Sequence, residues 1–360
     1  VIPVVYEEMT IFGHGRAAVM RDGKVGFIDA QGNLLTDFIY DHMPYDHQMR
    51  MEALDMTKDG SAGVVDVAGN EIVPFIYDSC SVKEYQDVYI TAAKDGKTAL
   101  YDMQGKELLA LKYKMAEYCQ GYVIAGDDHE HCGVVDLQGN VLVPFEYANW
   151  SRVDAQRGYF VMKSDSPKSV TLYDLKGEKL VRFPYYDVDL MDDAVKVCDV
   201  LDPRTDYGLY DYEGKLLIQV INQSLHRLDG DRYLAQVRGC KEATLIELSS
   251  GKNTILPYGI QEHAFDGLFI VSADGKSGVV NSRLETVIPI IYDKISRKRF
   301  DDVMSFAVTA GGQVAVFDAS GNTVLDFGQE TDEDKFLRGY DSDRRCSKGY
   351  IVRKKNKFGL

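Results

Sequence analysis

An all-β tandem array is the fold class this sequence predicts, and three observations predict it. A short hairpin phrase returns along the whole chain, a proline-tyrosine element runs in phase with it, and no segment sustains a 3.6-residue apolar period over three turns. The phrase is Gly26-Phe-Ile-Asp29 followed by Gly32-Asn33, and it recurs as Gly63-Val-Val-Asp66, Gly133-Val-Val-Asp136 and Gly208-Leu-Tyr-Asp211. With its terminal acidic residue as a ruler, units end at Asp29, Asp66, Asp102, Asp136, Asp174, Asp211, Glu247, Asn281 and Asp318, at spacings of 34 to 38 residues. A partial copy closes the chain at 350–360, after a longer polar stretch from Gln329 to Lys348.

Each element reads as a strand. The proline-tyrosine element is clearest at Ile2-Pro3-Val-Val-Tyr6, Val73-Pro74-Phe-Ile-Tyr77, Val143-Pro144-Phe-Glu-Tyr147 and Ile288-Pro289-Ile-Ile-Tyr292. A third run, such as Arg16 to Asp22-Gly23 or Leu268 to Asp274-Gly275, precedes the hairpin phrase. Asp-Gly between apolar runs predicts a tight hairpin, and Asp-x-x-Gly predicts a type I turn closed by a left-handed glycine. The glycines Gly32, Gly69, Gly105, Gly139, Gly177, Gly214 and Gly321 are therefore expected at positive φ. Four short strands fit one unit, and the proline belongs at a strand end or edge where no ladder N–H is required.

Such units bury their apolar faces only against their neighbours, so residues 1–360 are expected to form one repeat array. Two arrangements follow. A propeller-like closed toroid of about ten small antiparallel units would seal its edges by pairing Val1 to Glu7 with Lys354 to Leu360. The alternative is an open β-solenoid or superhelix.

At the phrase Asp22-Gly-Lys-Val-Gly-Phe-Ile-Asp29, its relative Asp274-Gly-Lys-Ser-Gly-Val-Val-Asn281 and the Ile-Pro-x-x-Tyr-Asp element, the chain resembles the bacterial WG-repeat family. The resemblance runs through nearly the whole chain. The signature tryptophan position holds Val25, Ala62, Thr98, Cys132, Val170, Tyr207, Ala243, Ser277, Val314 and Phe358, and the single tryptophan, Trp150, lies elsewhere in its unit. The resemblance implies a β-rich repeat and no catalytic residue.

A net charge of −15 disfavours nonspecific nucleic-acid or anionic-membrane binding, and the basic clusters at Arg297-Lys298-Arg299 and Arg353-Lys354-Lys355 read as solvated strand ends. No run of 18 apolar residues is present, so no transmembrane helix is expected. The chain opens on Val1 inside a repeat, which points to sequence upstream; a secreted or cell-surface location is favoured over a cytoplasmic one, with the compartment otherwise open. Six cysteines follow no framework spacing. Cys119 and Cys132 flank a predicted hairpin, which leaves a disulfide between them as one option and small buried thiols as the other.

The densest group of metal-type ligands is Asp127-Asp128-His129-Glu130-His131-Cys132, but the second ligand pair of a closed zinc site is missing. A polar hairpin tip is the expected structure there. His14, between Gly13 and Gly15, reads as a loop residue. The motif aspartates supply one carboxylate per unit, which suits a turn and not a calcium loop. No phosphate loop, dinucleotide fingerprint, zincin helix or nucleophile elbow occurs. No catalytic, cofactor-binding or metal residue is therefore assigned, and no cofactor is expected.

Tyr6, Tyr40, Tyr77, Tyr113, Tyr147 and Tyr292 recur at the repeat period. Buried, they are core; exposed, they would be a stacking platform for carbohydrate or peptide. The function expected is a noncatalytic scaffold that binds protein or peptide on aligned turns or strands. The alternatives are a glycan or cell-wall polymer module and an enzyme whose site is assembled across repeats.

Overall fold

The computed structural model describes residues 5–84, 87–148, 151–199, 205–300, 303–326, 352–354 and 357–359. The chain is all-β, built of small antiparallel sheets. It divides into two compact units: Val1–Asp193 with Tyr212–Gly214, and Ala194–Asp211 with Lys215–Leu360. Repeats 1 to 5, counted by their motif acids, lie in the first and repeats 7 to 9 in the second.

Repeat 3 shows the plan. Ser79–Glu84, Val88–Lys94, Lys97–Tyr101 and Glu107–Tyr113 form a four-stranded antiparallel meander, each strand bonded to the next. Repeat 4 repeats it with Met115–Cys119, Tyr122–Gly126, Cys132–Val135 and Val141–Tyr147. Within each unit, consecutive meanders pack face to face. Val64, Val73 and Tyr77 of repeat 2 meet Val82, Ile90 and Ala92 of repeat 3 in one buried cluster. Ile270, Val279 and Ile288 of repeat 8 likewise meet Ile295, Phe306 and Ala315 of repeat 9. The core is thus a series of apolar layers between repeats, the arrangement of a stacked array.

The turns follow their sequence. Lys58 pairs with Ser61 and Lys94 with Lys97 across two-residue loops whose Asp59-Gly60 and Asp95-Gly96 have positive φ at both positions, the twist-matched hairpin turn. After the third strand, Asp29 Oδ1 accepts the N–H groups of Gln31 and Asn33, and the same bonds form at Asp66, Asp136 and Asp318. The glycine three residues on has φ between 80° and 87° in all seven predicted copies.

The glycine of the repeated phrase has a different cause. The third and fourth strands shift register beside it, as between Cys132↔Tyr147 and Val134↔Val143, and the bulge lays a fourth-strand side chain over the third strand. A β-carbon at Gly63 would lie 2.8 Å from the Phe75 ring, and one at Gly133 only 2.6 Å from the Val143 carbonyl oxygen. The tryptophan position beside it pairs across strands with the repeat tyrosine: Ala62 with Tyr77, Thr98 with Tyr113, Cys132 with Tyr147, Ser277 with Tyr292. Repeat 6 reverses the sizes, pairing Tyr207 with Asn222. Each of these pairs therefore carries one ring.

Some repeats depart from the plan: repeat 1 is a three-stranded sheet without a fourth strand, and the long strand Leu216–Asp229 serves repeats 6 and 7 together. Repeat 2 has no first strand; a 3-10 turn at Gln48–Arg50 takes its place and buries Met49. The strand pairing expected between the chain's ends involves residues 1–4, 355–356 and 360, which lie outside the described residues, as do Trp150 and the stretch from Gln329 to Lys348.

Candidate functional site

The repeat presents three recurring surfaces: the hairpin ends joined by ion pairs, the Asp-x-x-Gly turns, and the face of each outer strand. The first is a staple. The acid after the repeat tyrosine reaches forward to the next two-residue hairpin turn, Asp-Gly in the first two cases and Gly311-Gly312 in the third: Asp41 Oδ2 accepts the N–H of Gly60 at 2.9 Å, Asp78 that of Asp95 at 2.9 Å and Asp293 that of Gly311 at 2.7 Å. The other oxygen of Asp41 and of Asp293 takes the lysine of its own repeat's hairpin, Lys24 or Lys276, each at 2.7 Å. These lysine hydrogen bonds hold Asp41 and Asp293 below the usual carboxylate range. Between repeats 3 and 4 the charges are exchanged. Lys114 stands in the acid's place, and the hairpin it meets carries Asp128, 2.5 Å from Lys97, and Glu130, 3.4 Å from Lys114.

That hairpin is the acidic and histidine-rich segment singled out in the sequence. It is a polar tip: Asp127 Oδ1 accepts the N–H groups of His129 and His131, and Glu130 takes the left-handed position at φ 65°. It is the Asp-x-x-Gly turn without its glycine, used at the other end of the sheet. Among the described residues no group of three or more His, Cys, Asp or Glu side chains is placed to hold a metal ion. At the genuine Asp-x-x-Gly turns the second carboxylate oxygen is also engaged, accepting the Asn33, Asn140 or Asn322 amide at Asp29, Asp136 or Asp318. Those amide bonds are the largest cause of the lowered pKa of all three acids.

His14 occupies a loop and bonds the Arg50 carbonyl through Nε2 at 2.7 Å. Cys119 and Cys132 are not joined by a disulfide. The register explains why they do not meet: Cys119 stands opposite Tyr122 and Cys132 opposite Gly126, which itself faces Met115, four rows away. Four rows are about 13 Å along a strand, far beyond disulfide reach. Burial pushes the Cys132 thiol up to about 11 and Cys80 up to about 12, so neither is a thiolate at neutral pH.

The repeat tyrosines face inward. Tyr40, Tyr77, Tyr113 and Tyr147 are buried, and Tyr6 and Tyr292 half-buried. Tyr77 and Tyr147 satisfy their hydroxyls on Tyr101 and Tyr173, while Tyr113 stacks on Phe145 at 5.3 Å. The exposed apolar groups lie instead on the outer strands. Ile76 is 51% exposed, Ile221 45% and Ile291 60%, each just before the residue that pairs with the tryptophan position, Tyr77, Asn222 or Tyr292. Val141 and Leu216 are exposed at the start of the same strand in repeats 4 and 6. Lys112 and Glu146 hold the corresponding exposed position in repeats 3 and 4. Sequence reasoning did not single out these positions; the alternation within the fourth strand was the available signal.

Comparison with known proteins agrees with the repeat reading. The profile of the WG containing repeat matches residues 1–24, from the first proline-tyrosine element to the Asp22-Gly23-Lys24 hairpin. The resemblance read from the sequence therefore stands as a WG-repeat match over that stretch. The chain has no match among curated proteins. Solved structures similar to it include the computationally designed Ika8 protein, at 15% identity over 74% of this chain and 93% of that one with a TM-score of 0.32. A eukaryotic initiation factor aligns at 12% identity over 77% and 85%, with a TM-score of 0.35. AztD from Citrobacter koseri aligns at 13% identity over 75% and 92%, with a TM-score of 0.32.

Proposed function

We propose that the chain is a noncatalytic repeat scaffold that binds an extended protein or peptide segment along its outer strands. The observation that carries this reading is the exposure of Ile76, Ile221 and Ile291 at one repeat position while the residue that follows each, Tyr77, Asn222 or Tyr292, is buried or half-buried. Branched aliphatics on an outer strand offer alternate pockets to a partner's side chains, and the strand edge offers backbone groups to its main chain. The prolines at 74, 144 and 289 and the bulges of the fourth strands limit how far an added strand can zip, which favours short segments over indiscriminate edge pairing. A glycan reading would draw on aromatic platforms, and the repeat tyrosines are turned away from that role.

Panning a random peptide library on the full chain tests the proposal. Selected peptides are expected to be rich in apolar residues and to lose at least tenfold in affinity for an Ile221→Glu, Ile291→Glu double variant, with Lys112→Ala as a neutral control. Selected peptides that bind the double variant unchanged would contradict it, as would high-affinity binding of glycans alone.

A further inference from the structure

In the second unit, two histidines from neighbouring repeats pack ring against ring. His226 belongs to the strand Leu216–Asp229 and His263 to Gly259–Phe265. Their centroids are 5.2 Å apart, and both rings contact Phe269, at 5.4 Å and 5.0 Å. Phe269 is buried in the apolar layer with Leu234, Val271 and Val280, so the three rings join repeat 7 to repeat 8.

The cation nearest this stack opposes protonation, and the one neighbouring carboxylate on its strands is already paired. Lys196, on Val195–Cys198, donates to the Leu225 carbonyl at 2.9 Å and lies close enough to His226 to oppose its protonation. His263 faces it from repeat 8. The neighbouring carboxylate of Glu262 is taken by Arg297 at 2.7 Å. On its own strand His226 is followed by Arg227, which donates to the Gly230 carbonyl, and its cross-strand partner is Leu234. Among the described residues neither imidazole has a hydrogen-bond or ion-pair partner.

We propose that the His226, His263 and Phe269 stack is an acid-sensitive joint that loosens the junction between repeats 7 and 8 when His226 is protonated. An imidazolium there would stand against Lys196 and a second histidine with no carboxylate to receive it. The closed junction therefore excludes the proton, and burial, then Lys196, then His263 bring His226 down from 6.5 to about 4. The sign follows: the opened state binds the proton more strongly, so the joint is fully closed above the ordinary value and weakens as pH falls from about 6.5 towards 4. A difference of that size raises the opening constant up to about 300-fold.

The test compares wild type with His226→Phe, which keeps the ring stack without a titrating nitrogen. Between pH 6.5 and 4, wild type is expected to lose thermal stability relative to the variant and to gain protease cleavage within 256–268. Carbon-proton NMR resonances should place the His226 titration well below its ordinary 6.5, near 4. His226 titrating near 6.5, or wild type and His226→Phe losing stability in parallel, would overturn the proposal. If His226→Phe does not fold, the NMR titration of wild type decides alone.

Discussion

Lys24 and Asp41 meet at 2.7 Å, and through the second oxygen of Asp41 that pair also caps the Gly60 turn of the next repeat. One acid thus ties two consecutive hairpins, and this is the physical content of the Tyr-Asp ending of the repeat phrase. Asp41→Ala should cost about 1–2 kcal/mol, because it leaves a turn N–H uncapped and removes the shorter of the two carboxylate contacts of Lys24, while exposure of the lysine discounts the ionic part. Chemical denaturation measures it. The folded-state pKa of Asp41 lies below 3.8, so its stabilisation is complete above that value and is lost as pH falls through the lower folded one. The Asp41→Asn variant should show a shallower acid-side decline than wild type.

Gly139 and Gly177 share a turn and a φ in the left-handed region, 80° and 87°, yet their surroundings differ. A β-carbon at Gly139 meets nothing within 4 Å, whereas at Gly177 it would lie 2.2 Å from the Leu142 carbonyl oxygen of the preceding repeat. Gly139→Ala should cost only the conformational strain, about 1 kcal/mol. Gly177→Ala should cost clearly more, since backbone must also move. Equal losses in Tm would contradict the packing half of this account.

Glu130 occupies the same left-handed position with a side chain, at φ 65°. Its ion pair with Lys114, 3.4 Å between largely exposed groups, is worth little. Glu130→Gly should therefore stabilise the protein by roughly 0.5–1 kcal/mol, seen as a rise in Tm.

Gly133 lies beneath the bulged fourth strand, where a β-carbon would approach Val143 and the Phe145 ring to 2.6 and 3.1 Å. Gly133→Ala should destabilise by about 1–3 kcal/mol through overpacking. Repeat 3 already carries alanine at this position, Ala99, beside an exposed Leu111, so Ala99→Gly should lower stability only mildly. Urea unfolding of the two variants compares them directly.

The parts of the fold written in turn chemistry were legible. Asp-Gly and Asp-x-x-Gly specify backbone conformations that few residues adopt, so the hairpins and all seven glycine φ values followed from spacing alone. The first strand of each repeat was not legible, because Ser79–Glu84 and Met115–Cys119 share no residue pattern and are defined by packing against the preceding repeat. Leu284, at φ 67°, shows the limit of the glycine rule: Asn281 makes the turn's bonds, and the turn holds without glycine. The cluster from Asp127 to Cys132 looked like ligand chemistry because a turn and a metal site draw on the same polar residues. The outer-strand isoleucines escaped notice since an isolated exposed aliphatic is common, and only the strand register shows that they share one repeat position.

The central claim is that partner segments dock on the outer strands, and isoleucine methyl NMR with a library-selected peptide tests it most directly. The account predicts shifts at the exposed methyls of Ile76, Ile221 or Ile291, with the buried Ile28, Ile90 and Ile270 unmoved. Shifts confined to other surfaces, or no shift at any outer-strand isoleucine under saturating peptide, would contradict it.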